Sequence, residues 1–131
     1  MDKEAEQGGE ESSNAVPSNP SRALTILTWA KAAHKHKPDR SQKNYSVEMI
    51  SIRDQGLNLK RLTGRGQDIQ NRILAEPKFV RVMKQIVREV EENDYTVISV
   101  CCAQGRHRSV AIAELLRKLY YPSAEINHLD L

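Results

Sequence analysis

A short strand that runs directly into a helix through Cys102-Ala103-Gln104-Gly105-Arg106-His107-Arg108-Ser109 constrains this chain more than any other feature. Tyr95 to Cys101 (YTVISVC) has strand character, and Val110 to Tyr120 (VAIAELLRKLY) has helix character. The abrupt change leaves free backbone N–H groups at the start of the helix, where the macrodipole adds partial positive charge. Such a turn is a place for an oxyanion. Gly105 lets the backbone approach a ligand and take conformations that a Cβ would forbid. The turn also carries a thiol at its first position and, six residues on, the guanidinium of Arg108.

The rest of the chain fits an α/β fold around that unit. Ala23 to Trp29 (ALTILTW) reads as a first strand with apolar side chains on both faces, as a buried parallel strand requires. Tyr45 to Arg53 reads as a second, with Val47, Met49, Ile50 and Ile52 filling both faces and Arg53-Asp54-Gln55-Gly56 turning away. Gln67 to Ala75 makes a short helix. Pro77 then opens a longer one to about Glu92, whose stripe Phe79, Val82, Met83, Ile86, Val87 and Val90 recurs at three- and four-residue spacing. Ala124 to Leu129 reads as a last strand. The expectation is a three-layer sandwich around a small, mainly parallel sheet, with a phosphate-binding loop between a central strand and a helix. In such sheets ligands sit beyond the carboxyl ends of the strands, which sets Arg53 and Asp54 near Cys102.

Charge divides the chain unevenly. Residues 1–21 hold five acids and one lysine, a net of −4, and read as a disordered acidic tail. Residues 22–131, the expected globule, hold 19 basic and 12 acidic side chains, a net of +7. That balance favours anionic ligands or nucleic acid. The run Lys31 to Asn44 (KAAHKHKPDRSQKN) offers Lys35, Lys37, Arg40 and Lys43 to RNA, with a solvated loop as the plainer reading. Lys78, Arg81, Lys84 and Arg88 cover the polar surface of the long helix, for which ordinary amphipathic patterning suffices. His34 and His36 lack a completing ligand at metal spacing, so no metal and no cofactor is expected. No apolar run reaches the length of a membrane span. Cys101 and Cys102 are neighbours, a poor geometry for a disulfide, and free thiols suit the cytoplasm or nucleus.

Cys-x5-Arg followed by Ser is the arrangement of cysteine-dependent phosphatases. In that chemistry Cys102 would attack phosphorus, Arg108 would grip two equatorial oxygens, and Ser109 would stabilise the leaving thiolate. A general acid would have to come from Asp54, Asp68 or Asp130. The plainer reading of Cys102 is a small buried residue at a strand end.

Gly105 to Glu114 (GRHRSVAIAE) resembles a different family, the C-terminal domain of the bacterial RNase adapter protein RapZ. Ile52-Arg53, Leu62-Thr63-Gly64 with Asp68 after it, and His128-Leu129-Asp130-Leu131 stand in that family's order, so the resemblance spans roughly residues 22–131. It implies an α/β domain that binds an amino-sugar phosphate and takes part in binding small RNA, usually within a homo-oligomer. The implied ligand residues are Cys102, Gly105, His107, Arg108 and Ser109, with Gln104 and Arg106 in the same loop and Arg53 and Thr63 behind them. On this reading Cys102 binds and does not attack. The family's nucleotide-binding domain has no counterpart here, the Arg53–Thr63 segment is shorter, and the basic C-terminus is missing. The His34–Lys43 loop would have to replace that terminus for RNA, in a stand-alone relative of the family. Three functions therefore stand: a non-catalytic binding domain for a phosphorylated small molecule, a phosphatase, and a protein-interaction module.

Overall fold

Two strands that never touch their sequence neighbour define the sheet. In a computed structural model, which describes residues 18–51 and 61–131, β1 (Thr25–Ala30), β2 (Lys43–Ser46), β3 (Val97–Cys102) and β4 (Glu125–His128) form one sheet in the order β2-β3-β1-β4. All pairings are parallel, with Ile26 opposite Ile98, Thr28 opposite His128, and Tyr45 opposite Val100. Among the described residues three helices complete the elements: α1 (Gln67–Leu74), α2 (Phe79–Asn93) and α3 (Arg108–Leu119). The residues read as an acidic tail lie outside the described residues up to position 17, as do Arg53 and Asp54.

The direction of each connection explains the layers. From β2 to β3 and from β3 to β4 the chain advances across the sheet one way; from β1 to β2 it goes back. Right-handed crossovers then send the helices to one face and the segment after β1 to the other. The side chains agree. Leu24, Ile26, Tyr45, Ile98, Val100 and Cys102 share one core with Ile69 and Ile73 of α1, Met83, Ile86, Val87 and Val90 of α2, and Ile112, Leu115 and Leu116 of α3. On the opposite face Ser41 Oγ meets Ser99 Oγ at 2.7 Å, His34 packs edge-on against Trp29, and Trp29 Nε1 donates to Asn44 Oδ1 at 2.9 Å. The α/β sandwich thus has its sheet in the middle, and its third layer is the irregular segment 31–42.

Two sequence expectations shift. The second strand is Lys43–Ser46 and not Tyr45 to Arg53. Val47 and Ile50 are buried as expected, but Met49 is 46% exposed, because a turn closed by Ile50 N–H to the Val47 carbonyl breaks the strand's alternation. Lys43 and Asn44 consequently belong to β2 and leave the basic loop. The adjacent thiols are free, Cys101 on the face of the 31–42 layer and Cys102 in the helical core.

One polar cluster closes the end of the sheet away from Cys102. Glu91 accepts from Arg22 Nε (3.0 Å) and Nη2 (2.8 Å), from Tyr121 Oη (2.6 Å) and from the Asn19 amide. The Arg22 guanidinium above all holds the Glu91 carboxyl below its ordinary value of 4.5. A depressed folded value stabilises above the unfolded pKa, and that stability is lost as pH falls through the folded value. The melting temperature should therefore begin to fall below about pH 4.5, and Glu91→Gln should flatten part of that fall while lowering stability at neutral pH. A pH series of thermal melts on both proteins reads the difference; identical slopes would remove Glu91 from the acid response.

Candidate functional site

β1 and β3 are neighbours whose following segments leave to opposite faces of the sheet. Their carboxyl ends are the topological switch point of this fold, where a crevice opens between the diverging connections. The loop from Cys102 to Ser109 stands there. Cys102 ends β3, residues 103–107 bend, and Arg108 opens α3 with His107 as its N-terminal cap residue.

The backbone of this loop is gripped from outside by its carbonyls. Lys31 N–H donates to Cys102 O (3.0 Å), Ala32 N–H to Ala103 O (3.0 Å) and Gly64 N–H to Arg106 O (2.7 Å), while His107 O takes the first intrahelical bond of α3 from Ala111 N–H (2.9 Å). In a trans peptide the N–H of the next residue points the opposite way. The amides of Ala103, Gln104 and His107 are thereby turned away from the segments that hold the preceding carbonyls. The first amides of α3 add to them with the helix dipole. Backbone amides at the start of a helix are groups that can receive an anion, and the loop is called the cradle below.

Close packing fixes the cradle from three sides. Gly105 has φ +70°, and a Cβ there would lie 3.0 Å from Ala30 Cβ and 3.2 Å from Asp130 Cβ. Gly64 lies flat on α3, where a Cβ would be 2.2 Å from Ala111 N and 2.3 Å from His107 O. His107 Nε2 donates to Leu62 O at 2.9 Å. Asp130 Oδ2 accepts from the Ala30 amide at 2.8 Å, and its carboxylate meets His34 Nε2 at 3.0 Å. The C-terminal segment, the outer layer and the loop therefore converge at Gly105.

The side chains fall into distinct groups. Cys102 Sγ, 2% exposed as a residue, shares a 3.2 Å hydrogen bond with Ser109 Oγ. Arg108 Nη1 donates to Glu48 O at 2.7 Å and reaches Ile50 O at 3.5 Å, which ties the loop to the turn after β2. Lys31 pairs with Glu48 at 3.0 Å, and that lysine's hydrogen bond is the main reason the Glu48 carboxyl sits below its ordinary pKa. Thr63 lies between the two residues that hold His107 and Arg106, with its hydroxyl accepting from the Arg65 amide. Gln104 is exposed, and Arg106 and His107 are half-buried. The structure thus brings Cys102 to Ser109 and Thr63 together; Arg53 lies outside the described residues.

Of the three candidate acids, Asp130 stands against the loop, Asp68 is exposed on the first turn of α1, and Asp54 is outside the described residues. Among the RNA candidates, Lys35, Lys37 and Arg40 are exposed in the outer layer, whereas Lys43 starts β2 at the far end of the sheet, 4.0 Å from Glu89. A cavity of about 470 Å³ bounded by Trp29, Lys31, His34 and Lys35 adjoins the cradle on the outer-layer face. A second groove, of about 690 Å³, lies between α3 and β4 and includes none of the loop. Neither hollow is lined by a residue of the Cys102–Ser109 loop. Sequence reasoning missed Gly64 as a packing residue and Glu48 as the loop's brace; the Leu62-Thr63-Gly64 run was the available signal for the first. Among the described residues no group of three His, Cys, Asp or Glu side chains is set to hold a metal ion, and no helix is long and apolar enough to cross a membrane.

An all-parallel four-stranded α/β sheet with a loop-to-helix turn at its switch point is the class of fold this chain shows. Within that class the chain belongs to the RapZ C-terminal domain family, whose pattern it matches over residues 34–131. It is also similar to a nucleotide-binding protein of Paramagnetospirillum magneticum, 39% identical over 67 residues, which is 44% of this chain. The match spans 22% of that relative's length.

Proposed function

We propose that this domain is a non-catalytic binding or regulatory module that holds the phosphate of a phosphorylated small molecule, of amino-sugar phosphate type, in the Cys102–Ser109 loop. The observation that carries the reading is the grip of Lys31, Ala32 and Gly64 on the carbonyls of Cys102, Ala103 and Arg106, which turns the following amides away from those segments and leaves them to a ligand. Membership of the RapZ C-terminal family and the likeness to a nucleotide-binding protein support a binding or regulatory role. Cys102 contributes to the wall of the cradle: its thiol is buried in the core and engaged with Ser109. Arg108 adds positive charge while one of its nitrogens braces the turn at Glu48. The exposed Lys35, Lys37 and Arg40 of the outer layer form the surface offered to RNA.

Thermal melts with inorganic phosphate, glucosamine 6-phosphate and glucosamine test this reading. The phosphate ester should raise the melting temperature most, by about 8 °C at a concentration near a hundred times Kd. Phosphate alone should give a smaller rise, and the sugar alone none. A cooperative melt that neither phosphate compound moves would overturn the proposal.

The Cys102–Ser109 contact also fits thiol catalysis, which makes a phosphatase the second reading. Hydrolysis of an aryl phosphate that disappears in Cys102→Ser would establish it. Binding without turnover leaves the module reading in place.

A further inference from the structure

The sheet has an open edge at β4. Glu125 N–H donates to Leu24 O and Leu129 N–H to Thr28 O, so the odd-numbered residues of β4 bond to β1. The backbone groups of Ile126 and His128 therefore point the other way, where among the described residues no strand receives them. The Asn127 side-chain amide, turned to accept from Arg40 Nη2 at 3.2 Å, donates to Ile126 O at 3.3 Å; a strand amide at that position would replace it. Side chains alternate between the two faces of the sheet. Ile126 packs on the helical core and His128 meets Glu114 of α3, whereas Glu125 and Asn127 take the face of the 31–42 layer.

The groove of about 690 Å³ between α3 and β4 runs along this edge, with Ile126, His128, Leu129, Leu131, Arg65 and Arg117 in its lining. Its wall is braced from within. His128 is held on both ring nitrogens, by Thr28 Oγ1 and Glu114 Oε2, each at 2.8 Å, and Glu114 Oε1 accepts from Arg117 Nη2 at 2.7 Å. Leu129 and Leu131 are 49% and 40% exposed, an apolar margin that nothing among the described residues covers. The carboxylate in the lining, Glu114, is already shared between His128 and Arg117. Arg65 is exposed and makes no ion pair among the described residues. Of the other acids nearby, Glu125 stands on the opposite face of β4, Asp130 is held by the Ala30 amide and His34, and Asp68, exposed on the first turn of α1, is outside the lining. Unpaired strand amides, an apolar trough and a spare guanidinium thus lie side by side. We infer that this edge takes an extended peptide segment of another protein, which adds to β4 as a further strand. Its apolar side chains would rest on Ile126, Leu129 and Leu131, and a carboxylate on the same face would meet Arg65. The surface is separate from the cradle.

Fluorescence anisotropy of the full chain with labelled synthetic peptides tests the placement. The probes alternate valine with threonine and carry one glutamate in place of a valine, moved along the valine positions from peptide to peptide. At least one should bind saturably, and changing its glutamate to glutamine should weaken binding about threefold, the size of one exposed ion pair. N-methylation of every second peptide bond should abolish binding in one frame and leave it intact in the other, because an added strand turns alternate amides to β4. Arg65→Glu should weaken binding about tenfold, as an attraction becomes a repulsion, and a lysine in place of the peptide's glutamate should restore it. Leu129→Ser should weaken it as well. No binding by any probe, equal binding by both N-methylated forms, or binding that both protein variants leave unchanged would overturn the inference. Sedimentation supplies one further outcome: a dimer that the probe dissociates would assign the edge to a second copy of this chain and defeat the proposal of an external segment. Unchanged melting temperatures in the two variants keep the comparison one of folded proteins.

Discussion

Gly64→Ala should destabilise this domain by about 3 kcal/mol or more, or prevent its folding. The added methyl would lie 2.2 Å from Ala111 N and 2.3 Å from His107 O, and both are backbone atoms of the first turn of α3. No side-chain rotamer can relieve such a contact. Either the Leu62–Gly66 turn lifts away or α3 shifts along the sheet. The first course breaks the hydrogen bonds from Gly64 N to Arg106 O and from His107 Nε2 to Leu62 O. It also detaches Gln70, a buried side chain that donates to Gly64 O at 2.9 Å. The second disturbs Ile112, Leu115 and Leu116 in the core. Gly66→Ala is the matched control, since a Cβ there meets nothing closer than Thr63 O at 3.5 Å, an ordinary contact. Urea titrations of the two variants should differ widely, with Gly66→Ala near the parent. Equal curves would show that the close approach at Gly64 is not what holds the turn on α3.

Arg108→Ala is expected to abolish the phosphate-dependent rise in melting temperature and to cost about 2 kcal/mol in the ligand-free protein. The second figure follows from the charged donor on Glu48 O at 2.7 Å, a bond of the stronger class whose loss leaves a half-buried carbonyl without that partner. The first follows, on the proposed binding role of the loop, from removing the side-chain cation beside its amides. Arg108→Lys separates the two roles. An ammonium restores charge but not a planar fork able to brace a carbonyl and still present donors to an anion. It should recover part of the stability and little of the ligand response. Full recovery of that response would reduce the role of Arg108 to charge alone.

What could be read from the chain beforehand depended on how local each signal was. The path from β3 through the loop to α3 was legible because strand character, a bend around Gly105 and helix character follow one another within residues 95–120. The long amphipathic helix was legible for the same reason. The second strand was not, because Val47 and Ile50 are buried in a turn, and burial of apolar residues was mistaken for continuation of a strand. The outer layer was hidden too. Lys31 to Asn44 read as a basic loop, either RNA-facing or solvated, yet the His34 ring packs on Trp29 and Ser41 meets Ser99 while Lys35, Lys37 and Arg40 are exposed. The candidate loop residues were readable together because they are neighbours in sequence. Their braces were not, because Ala30, Glu48, Gly64 and Asp130 come from four distant segments and no spacing rule joins them.

The strand order has a consequence for how the chain is made. Among the described strands, β2 pairs with β3 alone, and β1 pairs with β3 and β4. A nascent chain emerging from the ribosome therefore exposes β1 and β2 with no partner for either until residues 97–102 have followed. Leu27 and Trp29, both buried in the finished sheet, wait through the synthesis of α1 and α2. Release of the strand that bears Cys102 assembles the sheet's centre and the Cys102–Ser109 loop in a single event, so a chain interrupted before it would hold apolar strands open to aggregation.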